Sequence, residues 1–157
     1  MADAPAGGRM GVDWGKVRIG VAACNAGTTL SYPVETVQAG AQELQRIAAL
    51  AAEYEPGAIY VGLPLTLSGE RQQAAKFVMD KAEALAALVS PLPVRLIDER
   101  MSTASASRSL SGAGHRAKQQ RRMIDQAAAV EILQRAIEWE ARTSSLAGEP
   151  VGEGEAS

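Results

Sequence analysis

Near the start of the chain the apolar positions come in short blocks broken by turn residues. Met10–Trp14 and Val17–Cys24 are such blocks, and they meet at Trp14-Gly15-Lys16. This pattern predicts two strands joined by a tight turn. Thr28–Val37 predicts a third strand, set off by Asn25-Ala26-Gly27, which makes an antiparallel meander. From Ala41 to Tyr54 the period changes. Leu44, Ile47, Ala48, Leu50 and Ala51 recur at helical spacing, and Pro56-Gly57 stops the helix. Ala58–Gly62 is a short apolar run of the kind buried between helices, and Gly62-Leu63-Pro64 ends it in a backbone turn.

Gly69–Val89 predicts a second helix, with Phe77, Val78, Ala82, Leu85 and Val89 on one face. Pro91 and Pro93 end it, and Val94–Asp98 reads as the last buried strand. Ser102 and Thr103 are good N-cap residues and open a short helix. Ser111–Gln119 reads as a basic, Gly-containing loop. Gln119–Arg142 predicts a long helix with a stripe of Ile124, Ala128, Ile132, Leu133 and Ala136. The order β-β-β-α-β-α-β-α-α implies an α/β fold. The expected sheet is mixed and five-stranded, its first three strands antiparallel and the rest parallel, with helices on both faces. Ligands in such sheets bind at the carboxyl ends of the strands. One domain is expected over residues 10–142, with residues 1–9 and the acidic stretch 143–157 disordered.

Composition narrows the chemistry. The 157 residues suit one core, and with aromatics at 4% that core must be aliphatic. Cys24 and His115 are the single cysteine and histidine, which excludes an internal disulfide and thiolate or paired-imidazole zinc sites. Cys24 reads as a small buried hydrophobe. No charged and apolar leader opens the chain, and no run of about 18 apolar residues follows. A cytoplasmic protein without a membrane partner is expected. The net charge of −2 argues against a nucleic-acid partner. Its distribution argues otherwise: Arg95–Arg122 holds seven basic and two acidic residues, whereas Glu138–Ser157 holds five acidic and one basic. A local basic patch attracts polyanions, although scattered cations are more often a solvated face.

Three carboxylates stand out. Asp13 ends the first strand, Glu99 follows the last, and Asp125 lies on the small, apolar face of the long helix with Ala128 and Ala129. Asp98 and Glu99 alternate in direction, so only one of them leads into a shared site, and Glu99 is the better candidate. Carboxylates from distant segments, without competing His or Cys, favour Mg²⁺ or Mn²⁺. Two such ions about 4 Å apart stabilise the attacking and leaving oxygens of phosphodiester cleavage. Each acid also has a structural reading. Asp13 would cap its turn, Glu99 would pair with Arg100 or Arg95, and Asp125 with Arg121 or Arg122. The residues alone leave both readings open.

Taken together, "GVDWGKVRIGVA", "VGLPLTLSGE", "LIDERMSTASA" and "RRMIDQAAAVEILQ" resemble the YqgF (RuvX) family of RNase H-fold nucleases over about residues 10–140. Its members are described as proposed Holliday-junction resolvases or pre-16S rRNA nucleases. The resemblance implies an RNase H-like fold, a metal-dependent endonuclease, and metal-binding acids at Asp13, Glu99 and Asp125. Arg18, Arg100, Arg116, Lys118, Arg121 and Arg122 would then hold a nucleic-acid backbone, either precursor rRNA or branched DNA. Cutting a four-way junction symmetrically would need a homodimer; trimming an rRNA end would not. His115 is expected at the surface, with a proton shuttle as the alternative. Trp14 is expected to be exposed, either stacking on a base or packing on the hairpin. Two rivals remain at this stage. The first strands also resemble the phosphate loop of sugar kinases and actin-like ATPases, which bind nucleotide between two domains where this chain supplies one. A non-catalytic nucleic-acid-binding module is the other, disfavoured because bare acids repel a polyanion.

Overall fold

The computed structural model describes residues 7–64, 73–98 and 117–151, the side chains of 117–125 excepted. The expected order is found, with strands β1 (Gly8–Trp14), β2 (Arg18–Cys24), β3 (Ser31–Gln38), β4 (Pro56–Leu63) and β5 (Val94–Asp98). Helices α1 (Glu43–Tyr54), α2 (Gln73–Val89) and α3 (Ala117–Thr143) complete the pattern. The short helix expected from Ser102 lies outside the described residues. A sixth strand, β6 (Glu149–Pro150), extends the sheet, whose order is β3-β2-β1-β4-β5-β6. β1 runs parallel to β4 and β4 to β5, while β1–β2, β2–β3 and β5–β6 are antiparallel.

The sixth strand comes from a stretch whose composition reads as tail. Its cause is the exposed edge of β5, which would otherwise present unpaired backbone groups. Arg95 donates from Nε to the Ala147 carbonyl at 2.5 Å and from Nη2 to Gly148 at 2.6 Å. Val151 N–H reaches the Val94 carbonyl at 3.0 Å, and Val151 and Ala147 are both buried. Arg95 is therefore spent on backbone carbonyls and leaves the basic patch. At the other end of the chain, β1 begins at Gly8, ahead of the expected boundary, because Arg9 is buried in an ion pair described below.

Alternation along the strands gives the sheet two apolar faces. Met10, Val12, Trp14, Ile19 and Val61 pack on α1 and α2 through Ile47, Leu50, Val78, Ala82 and Leu85. Ala22, Cys24, Tyr60 and Ile97 pack on α3 through Ala129, Ile132, Leu133 and Ala136. Cys24 is the small buried side chain that was expected. The α3 face depends on small residues. A Cβ at Gly11 would stand 2.8 Å from the Leu133 Cβ and 3.1 Å from the Ala129 carbonyl oxygen. Glycine is what lets the helix backbone lie this close to β1.

The other face is organised by a buried carboxylate, Glu43, 5% exposed at the start of α1. Trp14 donates its indole N–H to Glu43 Oε2 at 3.1 Å, Gly40 N–H donates to Oε1 at 2.9 Å, and the Lys81 ammonium sits 2.7 Å from Oε2. Burial pushes this carboxyl up, but the bonds from Lys81, Gly40 and Trp14 outweigh it and hold it below the ordinary 4.5. Trp14 is thus a core residue, 5% exposed, and the expectation of an exposed, base-stacking indole is corrected. Strand parity turns it toward α1 and away from solvent, and its one polar atom has a buried partner.

Two outcomes are expected. In Gly11→Ala, the reduced backbone entropy of alanine favours folding by up to about 1 kcal/mol, but overpacking costs about 1–3 kcal/mol. The clash wins, and denaturant unfolding should show a net loss. Glu43→Ala strands the indole N–H and the ammonium, and should lower unfolding free energy by about 1–3 kcal/mol. Because the Glu43 carboxyl is depressed in the fold, its contribution is full above its ordinary 4.5 and fades as pH falls through the lower folded value. The stability gap between wild type and Glu43→Gln should therefore narrow on acidification below 4.5, read by urea melts at stepped pH.

Candidate metal centre and nucleic-acid face

Asp13 is the penultimate residue of β1, at the carboxyl end of the central parallel strands. Met10 and Val12 face α1 and α2, so Gly11 and Asp13 face α3. The side chain is half-buried there. Asp13 pairs with Gly20 on β2, and Gly20 pairs with Thr36 on β3, so the three form one row across the sheet.

Helix α3 is tied to the same row. Gln126 donates from Nε2 to Thr36 Oγ1 at 2.7 Å. Two turns later Gln134 accepts from Ser31 N–H at 2.9 Å, and the Ser31 hydroxyl donates to the Val130 carbonyl at 2.9 Å. The helix therefore advances from Thr36 toward Ser31 and runs antiparallel to β1. Its first turns lie at the Asp13 end of the sheet. Asp125 precedes Gln126 and lies one turn before Ala129, whose backbone abuts Gly11. The side chain of Asp125 lies outside the described residues.

The far end of α3 is clamped by a network that the sequence reading missed. Arg9 donates from Nε and Nη2 to Glu140, each at 2.9 Å, and from Nη1 to the Gly7 and Gly8 carbonyls. Tyr60 donates its hydroxyl to the same carboxylate and accepts from Ala147 N–H at 3.0 Å. Burial alone would weaken the Arg9 charge, but the Glu140 hydrogen bond and charge outweigh it and push the guanidinium pKa up. Burial, then the Glu140 carboxylate, pushes the Tyr60 phenol well above its ordinary value. No sequence signal marked Arg9 or Glu140, since each sits beside a stretch of tail-like composition.

The third acid, Glu99, lies outside the described residues, as do Arg100, Arg116 and His115. The strand leading to it is placed, however. Gly62 pairs with Ile97 and Leu63 with Asp98. Ile97 packs under α3, while Leu96 faces the opposite cluster, so Asp98 shares the parity of Leu96 and not that of Asp13. β5 is not the neighbour of β1; β4 lies between them. Two strand spacings, about 10 Å, separate the two ends. Among the described residues no three His, Cys, Asp or Glu side chains form a metal-ligating group. Among them, too, no helix is long and apolar enough to cross a membrane.

Arg18 opens β2 beside the hairpin turn and pairs with Gln38. Lys118, Arg121 and Arg122 fall in the first turns of α3, at the Asp13 end of the sheet, their side chains outside the described residues. Two acidic positions, Asp13 and Asp125, and four basic ones, Arg18, Lys118, Arg121 and Arg122, are thus carried to one end of the sheet.

Comparison with known proteins bears on the family and the fold. The family described as "RuvX: Holliday junction resolvase" matches residues 7–139. A Cutibacterium acnes protein, named as a proposed pre-16S rRNA nuclease, is 48% identical over 132 residues, covering 84% of this chain and 82% of that protein. A Mycobacterium tuberculosis protein of the same name is 49% identical over 148 residues, covering 93% of this chain and 86% of its own length. Thermus thermophilus RuvC, solved with a Holliday junction substrate, superposes with a TM-score of 0.58 at 16% identity, over 92% of this chain and 99% of that one. At that identity the likeness shows the fold, which is RNase H-like. The extent of the family match, together with relatives near half identity over most of both chains, shows that this chain belongs to the RuvX family.

Proposed function

We propose that this chain is a metal-dependent endonuclease that hydrolyses phosphodiester bonds in precursor 16S rRNA, work that belongs in the cytoplasm. One observation carries the reading: α3 runs antiparallel to β1 and brings Asp125 to the sheet end where Asp13 already sits on the same face. The substrate follows the names of the relatives at 48% and 49% identity.

The donor set fits Mg²⁺ or Mn²⁺. Asp13 is a half-buried carboxylate, and the described residues at this sheet end offer neither thiolate nor imidazole. Glu99, two positions after Ile97 in the sequence, completes the acid set with Asp13 and Asp125 under our proposal. Two divalent ions, when bound there, would supply an activated water and neutralise the leaving oxygen. The chain's own residues do the remaining work. Asp13 is fixed by its strand and turns toward α3, so its carboxylate is positioned before the ligand arrives. Arg18, Arg100, Arg116, Lys118, Arg121 and Arg122 hold the backbone of the nucleic acid through its phosphates, with little reading of bases. The family description and the fold of RuvC keep four-way junction cleavage as a second reading, and symmetric cutting would engage two copies of the chain.

The test sets a labelled 5′ segment of precursor 16S rRNA beside a synthetic four-way junction, each with Mg²⁺, Mn²⁺ or EDTA. Wild type should cut the rRNA segment in one or both metals and not in EDTA. Asp13→Asn should cut at background while still melting as a folded protein. Cutting confined to the junction would transfer the reading to resolution, and binding without any cleavage would leave a binding module.

A second expectation concerns the tie between α3 and β3. Gln126→Leu removes a hydrogen bond of about 1 kcal/mol and should leave the fold intact. It frees the first turns of α3, where Asp125 lies, and a displacement of about 1 Å at a reacting centre costs up to about 10²-fold. Cleavage should fall tenfold or more in this variant, with the midpoint of thermal unfolding shifted by only a few degrees.

A further inference from the structure

The turn between β1 and β2 is held at both sides of its tip. Gly15 N–H donates to the Arg18 carbonyl at 3.0 Å, and Ala39 N–H donates to the Val17 carbonyl at 3.0 Å. This rigid turn projects Lys16, an exposed residue three positions after Asp13. Its ammonium lies 5.7 Å from the centroid of the Phe77 ring on α2. The Lys81 ammonium lies 5.6 Å from the same centroid.

Two cations share one ring, yet they are not equivalent. Lys81 is committed to buried Glu43 at 2.7 Å. Lys16 makes no ion pair among the described residues. The ring attracts it by about 0.5–1 kcal/mol, enough to bias its position and too little to offset its charge. Lys76, one turn before Asp80 on α2, meets that carboxylate at 3.4 Å with both side chains largely exposed, a weak pair. Among the described residues, the corner therefore keeps a positioned positive charge with no counter-ion.

Its place in the fold matters. α2 follows the carboxyl end of β4, so this corner belongs to the same sheet end as Asp13. It lies on the α1/α2 face, whereas the basic turns of α3 lie on the other. A strand crossing the sheet end over Asp13 would leave the α3 side and meet Lys16 next.

We propose that Lys16, held over Phe77 by the β1–β2 turn, binds a backbone phosphate of the substrate strand on the α2 side of Asp13, so that the nucleic acid crosses the sheet end between two cationic banks. This rests on the nuclease reading and adds a contact and a path to it. Phosphate is the matching chemistry because Lys presents a point charge without the planar fork that reads bases or pairs bidentately.

The experiment measures binding of the full chain to the precursor-rRNA segment by fluorescence anisotropy in EDTA, over about 50 to 200 mM salt. Wild type, Lys16→Ala, Lys16→Glu and Lys16→Arg are compared, with melting curves as the check on folding. Lys16→Ala should weaken binding severalfold and reduce the slope of log affinity against log salt by about 0.7 to 0.9, the loss of one phosphate contact. Lys16→Glu should weaken it further, and Lys16→Arg should restore both affinity and slope. Wild-type affinity and slope in Lys16→Ala, with wild type still binding and cutting, would overturn this inference alone. Failure of wild type both to bind and to cut nucleic acid would overturn the nuclease reading and this inference with it.

Discussion

The close approach of α3 to β1 is the constraint on which the candidate site depends. Gly11 lets the helix backbone settle against the strand, with Ala129 and Leu133 directly above it. Contact at that distance fixes height but not register along the strand. Register comes from the two ends. At one, the Arg9–Glu140–Tyr60 network clamps the last turns; at the other, Gln126 on Thr36 and Gln134 on Ser31 peg the helix to the edge strand. A one-residue slip would rotate every helical side chain by about 100° and strand several polar groups together. The backbone position of Asp125 relative to Asp13 is therefore set by packing and hydrogen bonds all along the helix, from Gln126 beside it to Glu140 at the far end.

The opposite face shows why a buried acid need not be a site. Glu43 is more buried than Asp13 and has a perturbed carboxyl, features that often mark function. Yet both its oxygens are engaged, by Trp14 and Lys81 on one and Gly40 on the other. It joins β1, α1 and α2 with its bonding capacity used inside the fold. Asp13 sits one residue earlier than Trp14 on the same strand and turns the other way. Pleat parity thus separates a structural acid cluster from a candidate ligand within two positions.

Much of this was legible in the sequence because it follows from short-range pattern. The helical spacing of Ile47, Leu50 and Ala51, the apolar run of β4 and the turn at Gly15 each encode an element locally. The apolar stripe of α3 likewise foretold that Ile132, Leu133 and Ala136 would pack on the sheet. What stayed hidden was long-range pairing. Arg9 reads as tail beside Ala and Gly, and only the fold brings Glu140 to it. Trp14 next to a Gly turn reads as exposed, since nothing nearby announces that Glu43 will accept its N–H. Glu149-Pro150 has the composition of a tail and becomes a strand because β5 would otherwise be an open edge. Arg95 counted as part of a basic patch until its carbonyl partners appeared. That β4 separates β1 from β5 was also beyond reach, because strand order depends on crossovers and not on local pattern.

Charge arrangement gives the layout its chemical sense. Acids gathered where a polyanion must lie are unfavourable unless cations accompany them, and the fold supplies cations from two sides. Basic positions in the first turns of α3 stand on one face of the sheet end, and Lys16 on its rigid turn stands on the other. Between them, Asp13 stands one residue from the end of β1, on the α3 face of the sheet. In the proposed function, side-chain cations at the flanks would hold the backbone of a strand without displacing what the acids bind at the centre. The net charge of −2 conceals this because Arg95–Arg122 holds seven basic and two acidic residues while Glu138–Ser157 holds five acidic and one basic. Under the proposed function, it is this regional separation of charge, and not the sum, that bears on a phosphodiester backbone.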